Sequence, residues 1–233
     1  MKPSLASLLD GVRKRLEVLE SSLPKRVDAM AVSPTSKLPL KALLYREALI
    51  WRMAELSRAA FESFQNDQLV SAIVLTRAAV ETSAALWYLC AKVVATVESN
   101  AVGDIDEYLM KLVMGTATDA PTTVPRPVRV GAFLKEAEKD IEGFTYQYGI
   151  LSEYAHPNWA GTSLLYSKSD KETRVTDFGR NIRQADNAKR MGLHSLRGAL
   201  AMFERSYNRI ADFIPAFTAL SESACSDSIG GQR

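Results

Sequence analysis

The stretch YGILSEYAHPNWAG, residues 148–161, holds groups with wide chemical reach: Tyr148, Ser152, His156 and Asn158. His156 is one of two histidines in the chain, and Pro157 follows it directly. Proline disfavours helical geometry at the residue before it, so a helix carrying Tyr148 and Ser152 is expected to stop at His156. A helix C-terminus favours a protonated imidazole through its dipole. That shift readies a histidine for proton transfer near neutral pH. Ser152 and Tyr148 fall one and two turns back on the same side of such a helix, and Glu153 three residues back.

Three chemistries fit these types at these spacings. Glu153 and His156 form a Glu-x-x-His, the half-site of di-iron bundles, which need a second copy facing it. The other histidine, His194, has Met191 where that copy needs its glutamate, so no metal is expected. Ser152 with His156 has the reach of a nucleophile and base, but no nucleophile elbow or oxyanion loop accompanies them. Acid–base work by His156 with an arginine from elsewhere in the fold needs no local motif. Against all three stands a helix-terminal histidine that does no more than close off backbone carbonyls.

The arginine to consider is Arg77. In QLVSAIVLTRAAVETSAALWYLCA, residues 68–91, the only two charges are Arg77 and Glu81. Four residues apart, they are neighbours on one helix face, shared with Val70, Ile73, Val74, Ala84 and Tyr88. Charges among apolar neighbours are costly unless paired and hydrogen-bonded. Two readings follow: a buried ion pair that sets helix register, or the lining of a polar cleft in which the guanidinium fork meets phosphate or carboxylate. The candidate catalytic residues are therefore His156, Arg77 and Glu81, and the candidate binding residues Tyr148, Ser152 and Asn158.

The elements that must position these residues read as helices. Leucines and Val12 recur at three-four spacing over 4–23, and apolar stripes recur over 40–66 and 68–98. Shorter helices are expected over 104–114, capped by Asp104, and over 131–141 and 144–155. The prolines of 117–130 mark a loop. SLLYSK and TRVTDF flank SDKE, which predicts a small β-hairpin at 163–178. A last helix runs from about Leu193 to Pro215, with His194 on its surface between Arg190 and Arg197. The expected architecture is one all-α, up-down helical-bundle domain over 1–219, followed by a disordered polar tail over 220–233.

Bulk properties agree with a soluble bundle. The chain has 233 residues, 47% hydrophobic and 24% charged, enough for a substantial core. A net charge of +2 does not by itself point to nucleic acid. Local charge is different, because 168–197 carries eight lysines and arginines against four acids, either a solvated face or a footprint for phosphates. Residues 68–91 are long and apolar enough to span a bilayer, but Arg77 and Glu81 near the middle favour a core helix and no membrane. Asp10 interrupts what an export signal would need, and Cys90 and Cys225 lie in unlike settings. Both point to a reducing cytoplasm.

TRAAVETSAALWYL, with Arg77 and Glu81, together with YGILSEYAHPNWAG, with Tyr148, Ser152, His156 and Pro157, resembles an uncharacterised bacterial all-α family distantly related to the HEPN superfamily. The resemblance covers about residues 40–215 in element order and is specific in the two short motifs. It implies an HEPN-like bundle, often homodimeric, in a bacterial defence or toxin–antitoxin type system, needing no cofactor and binding RNA or a nucleotide. Many members of that superfamily are metal-independent ribonucleases with an R-x4-6-H motif on one helix. Here Gly149, Ile150 and Leu151 occupy the arginine positions before His156, and Asn187, Ala188 and Lys189 those before His194. A ribonuclease built on this chain would need Arg77 to stand in across helices and meet His156. The third alternative is a structural protein in which Arg77 and Glu81 are a clamp.

Overall fold

The computed structural model describes residues 4–117 and 123–230, with side chains as far as Ser226. The protein is an all-α helical bundle with one small two-stranded sheet. Its elements in order are α1 (Leu5–Ser21), α2 (Ala29–Val32), α3 (Leu38–Gln65), α4 (Leu69–Glu98), α5 (Ile105–Val113) and α6 (Val130–Glu138). These are followed by α7 (Phe144–Ala155), α8 (Ser163–Tyr166), β1 (Ser167–Ser169), β2 (Thr176–Phe178) and α9 (Asp186–Gly230). By contact the described residues group into two compact units, 4–22 with 52–83 and 141–201, and 23–51 with 84–117, 123–140 and 202–230. Three of the five boundaries fall inside α3, α4 and α9, and two fall between helices, at 22–23 and 140–141.

The first unit is built on apolar stripes of its helices. Leu8, Val12 and Leu16 of α1, Phe64 of α3 and Ile73 of α4 are fully buried, as are Leu193 and Leu196 of α9. Gly192 permits the closest approach there: a Cβ at this position would meet Phe64 Cζ at 2.5 Å. Arg58 grips the Glu20 carboxylate with two hydrogen bonds of 2.7 and 2.6 Å, fastening α3 to α1. Lys189 reaches Asp67 at 2.6 Å, tying the start of α9 to the turn between α3 and α4. Ser57 Oγ is buried and makes no hydrogen bond among the described residues.

In the second unit Tyr88 meets Phe133 and Tyr108 edge-to-face, at ring distances of 5.4 and 6.4 Å. Leu86, Leu89, Val93, Leu109, Phe203, Ile210 and Phe217 are buried with it. Two expectations are corrected here. Asp104 stands before α5 but makes no side-chain cap bond; Asp106 and Glu107 supply negative charge in the first turn instead. And α9 does not stop at Pro215: it continues to Gly230, so the expected tail 220–233 is helical as far as it is described. Proline removes one backbone donor, but the helix beyond it is held by packing. Phe217 and Ser221 are buried, and the hydroxyls of Ser221, Ser223 and Ser226 bond carbonyls one turn back. Ser33 adds a 2.6 Å bond to Glu222.

The expected hairpin at 163–178 is shorter than its pattern. Residues 163–166 form the single helical turn α8, and only Ser167–Ser169 and Thr176–Phe178 pair, antiparallel, with Ser167 opposite Phe178. The turn is organised by Asp170, whose carboxylate accepts the backbone N–H groups of Glu172 and Thr173 at 2.8 Å each. Those two bonds hold its pKa below the usual carboxylate value.

Candidate functional site

α7 opens at Gly143, whose φ of +78° belongs to the left-handed region that suits glycine. It closes at His156 in an extended conformation, with the His156 N–H still bonded to the Ser152 carbonyl at 3.1 Å. Between these ends α7 presents Tyr148 to Arg77 and Glu81 of α4. The Tyr148 hydroxyl accepts from Arg77 Nε at 3.0 Å and Nη2 at 2.5 Å, and donates to Glu81 Oε1 at 2.5 Å. Arg77 and Glu81 also meet directly at 3.3 Å. Their side chains are 30% and 25% exposed, so this is a half-buried cluster, neither a sealed clamp nor an open cleft. Burial, then the bond to Glu81, raises the Tyr148 pKa, with Arg77 opposing. The phenol is therefore neutral at physiological pH, and the cluster joins α4 to α7 by charge-assisted hydrogen bonds.

The rest of the candidate set lies elsewhere. The Ser152 hydroxyl bonds the Tyr148 carbonyl of its own helix at 3.0 Å. His156 is exposed, eight residues and so about 12 Å of helix rise beyond Tyr148. Among the described residues the hydrogen bonds of Arg77 run to Tyr148, and its ion pair to Glu81, with none to His156. Asn158 builds a turn: its side-chain oxygen accepts the N–H groups of Ala160 and Gly161 at 3.0 and 3.1 Å, and its amide donates to Glu153 at 2.7 Å. The Glu153 carboxylate is thereby engaged by Asn158. Gly161 then packs on the open end of α7, where a Cβ would stand 2.1 Å from the His156 carbonyl oxygen. In HPNWAG the proline ends the helix, the asparagine forms the turn and the glycine allows the return. No group of three or more His, Cys, Asp or Glu side chains converges among the described residues.

One side-chain cluster and one exposed ring escaped the sequence reading. In the second unit, Arg46 and Glu47 pair with each other, and Tyr207 Oη donates to Glu47 at 2.5 Å. The Arg46 guanidinium lies 3.4 Å from the Tyr207 ring centre, and its Nε donates to the Tyr207 carbonyl at 3.1 Å. Burial, then the Glu47 bond, pushes the Tyr207 pKa up to about 12. Adjacent residues do not face each other on a helix, so YREALI carries no signal of a pair, and Tyr207 reads as one more residue of an apolar stripe.

The ring is Phe178, on the hairpin that carries part of the basic stretch 168–197 already legible in the sequence. Phe178 is 77% exposed on β2, with Val175 and Tyr166 also exposed beside it. Lys168, Lys171, Arg174 and Arg180 are exposed on the same element and its flank; Lys168 stands opposite Asp177 in the strand pair, and its charge acts on the Asp170 carboxylate. Arg183 donates to the Ser167 carbonyl at 2.6 Å and fastens the following loop to β1. Single exposed apolar residues are ordinary. Here Tyr166, Val175 and Phe178 stand on and beside one short hairpin with four exposed cations.

No protein-family model, curated protein or solved structure matches this chain. The 18-residue apolar window of α4 is 61% buried within the protein, as in a core helix.

Proposed function

We propose that the protein is a single-stranded nucleic-acid-binding module, RNA foremost, whose contact surface is the β1–β2 hairpin. The observation that carries this reading is the exposed Phe178 beside the exposed Lys168, Lys171, Arg174 and Arg180. Lysines and arginines neutralise phosphates whatever the sequence, and an exposed aromatic ring gives a base a face to stack on. Residues 168–197 carry eight lysines and arginines against four acids, with Lys189 taken up by Asp67, and the rest of the chain is slightly acidic. The Arg77–Tyr148–Glu81 cluster holds α7 to α4 and favours binding without cleavage, since its arginine is engaged by a phenol and a carboxylate. On the HEPN resemblance, we further propose that such a module acts in a bacterial defence or toxin–antitoxin system, as a cytoplasmic homodimer.

The test is fluorescence anisotropy with a labelled single-stranded RNA over a salt series. Four phosphate contacts give a slope of log K against log[salt] of about −2.8. Replacing Lys168, Lys171 and Arg174 with alanine reduces that slope by about 2. A slope unchanged by the triple variant refutes the hairpin as the contact surface. RNA cleavage that survives chelator and disappears in His156→Ala favours the ribonuclease instead.

A further inference from the structure

A different site lies wholly within the second unit, along one stripe of α4. Trp87, Val94 and Glu98 there line a cavity of about 240 Å³ with Arg205 and Arg209 of α9 and Asp140. Arg205 and Arg209 are four residues apart and so adjacent on their helix. The Arg205 guanidinium lies 5.8 Å from the Trp87 ring, and that indole donates to Asp140 at 3.2 Å, which fixes the ring. Both arginines are exposed, and neither has a carboxylate within ion-pair reach among the described residues. The same holds for Glu98 and a cation. Cys90, also in the lining, adds no charge, because burial pushes its thiol pKa up to about 11.

The wall thus carries two cations, Arg205 and Arg209, two anions, Asp140 and Glu98, and the apolar faces of Trp87 and Val94. A ligand of one sign is attracted by half of this wall and repelled by the other half. A molecule bearing both signs is matched by all of it. The cavity is small beside the roughly 300–1,000 Å³ of drug-sized pockets, which suits one amino acid better than a nucleotide.

We propose that this cavity binds a free aromatic α-amino acid. The Arg205–Arg209 pair takes the carboxylate by its guanidinium forks. Asp140 and Glu98 take the ammonium group, and Trp87 with Val94 takes the ring. The site is independent of the hairpin and of the nucleic-acid reading.

Isothermal titration of the full chain tests this with three probes: L-phenylalanine, 3-phenylpropionate without the ammonium, and 2-phenylethylamine without the carboxylate. L-phenylalanine is expected to bind, with each truncated probe weaker by about tenfold or more. Arg209→Ala weakens L-phenylalanine by about tenfold with circular dichroism unchanged, since the residue is exposed. Glu98→Gln together with Asp140→Asn removes the preference for L-phenylalanine over 3-phenylpropionate. Absence of heat with L-phenylalanine at about 10 mM, where a 1 mM site is about nine-tenths filled, overturns the proposal. So does equal binding of 3-phenylpropionate, or full affinity in Arg209→Ala.

Discussion

Replacing Tyr148 with phenylalanine removes one oxygen from the centre of the Arg77–Glu81 cluster. That oxygen accepts two hydrogen bonds from Arg77 and donates one to Glu81. Hydrogen bonds to charged groups contribute about 1.5–3 kcal/mol net when buried. Here the two charges keep their 3.3 Å ion pair, and at 30% and 25% exposure water replaces part of what is lost. The expected cost is therefore about 1.5 kcal/mol, toward the lower end of that range. At about 2–4 °C per kcal/mol for a chain of this size, Tm falls by about 3–6 °C. Calorimetry of Tyr148→Phe, Arg77→Met and the double variant measures this and isolates the coupling, expected at about 1 kcal/mol. A Tm within a degree of wild type, or fully additive losses, refutes the cluster as the link between α7 and α4.

Tyr207→Phe is expected to cost more than Tyr148→Phe, about 2–3 kcal/mol by calorimetry, because the Arg46 and Glu47 side chains are only 10% and 13% exposed. Gly161→Ala forces a Cβ to within 2.1 Å of the His156 carbonyl oxygen, so the turn must open. Amide exchange in 156–162 should rise sharply, with a loss of about 2 kcal/mol or more. Glu20 has a pKa held below its ordinary 4.5, first by the hydrogen bond from Arg58. A depressed carboxylate stabilises the fold above its unfolded pKa, and that contribution is lost as pH falls through the folded value. The stability difference between wild type and Glu20→Gln should therefore be constant above about pH 5 and vanish only well below 4.5.

Periodicity carried most of the fold. The helices expected over 40–66, 68–98 and 144–155 appear as α3, α4 and α7 within a few residues, because three-four apolar spacing reports burial directly. The continuation of α9 was hidden, since a proline and a serine-rich composition look like a stop, while the packing of Phe217 and the serine back-bonds are tertiary facts. The same division holds at the candidate site. Arg77 and Glu81 were legible as paired charges in an apolar helix, and Tyr148 was legible as a candidate, but their meeting depends on how α7 is docked. His156 drew attention as a rare residue type beside a proline. Its neighbours Asn158 and Gly161 account for that pattern as a turn. Phe178 was read as strand former alone, because exposure on a two-stranded sheet has no sequence signature.

The proposed nucleic-acid surface is the hairpin. Ultraviolet crosslinking of the full chain to a single-stranded RNA, with the adduct mapped by mass spectrometry, tests it most directly. Adducts are expected within residues 166–183, centred on Phe178, with a loss of affinity of about 5- to 100-fold in Phe178→Ala from the missing stack. Adducts confined to other helices, with Phe178→Ala binding as wild type, contradict it.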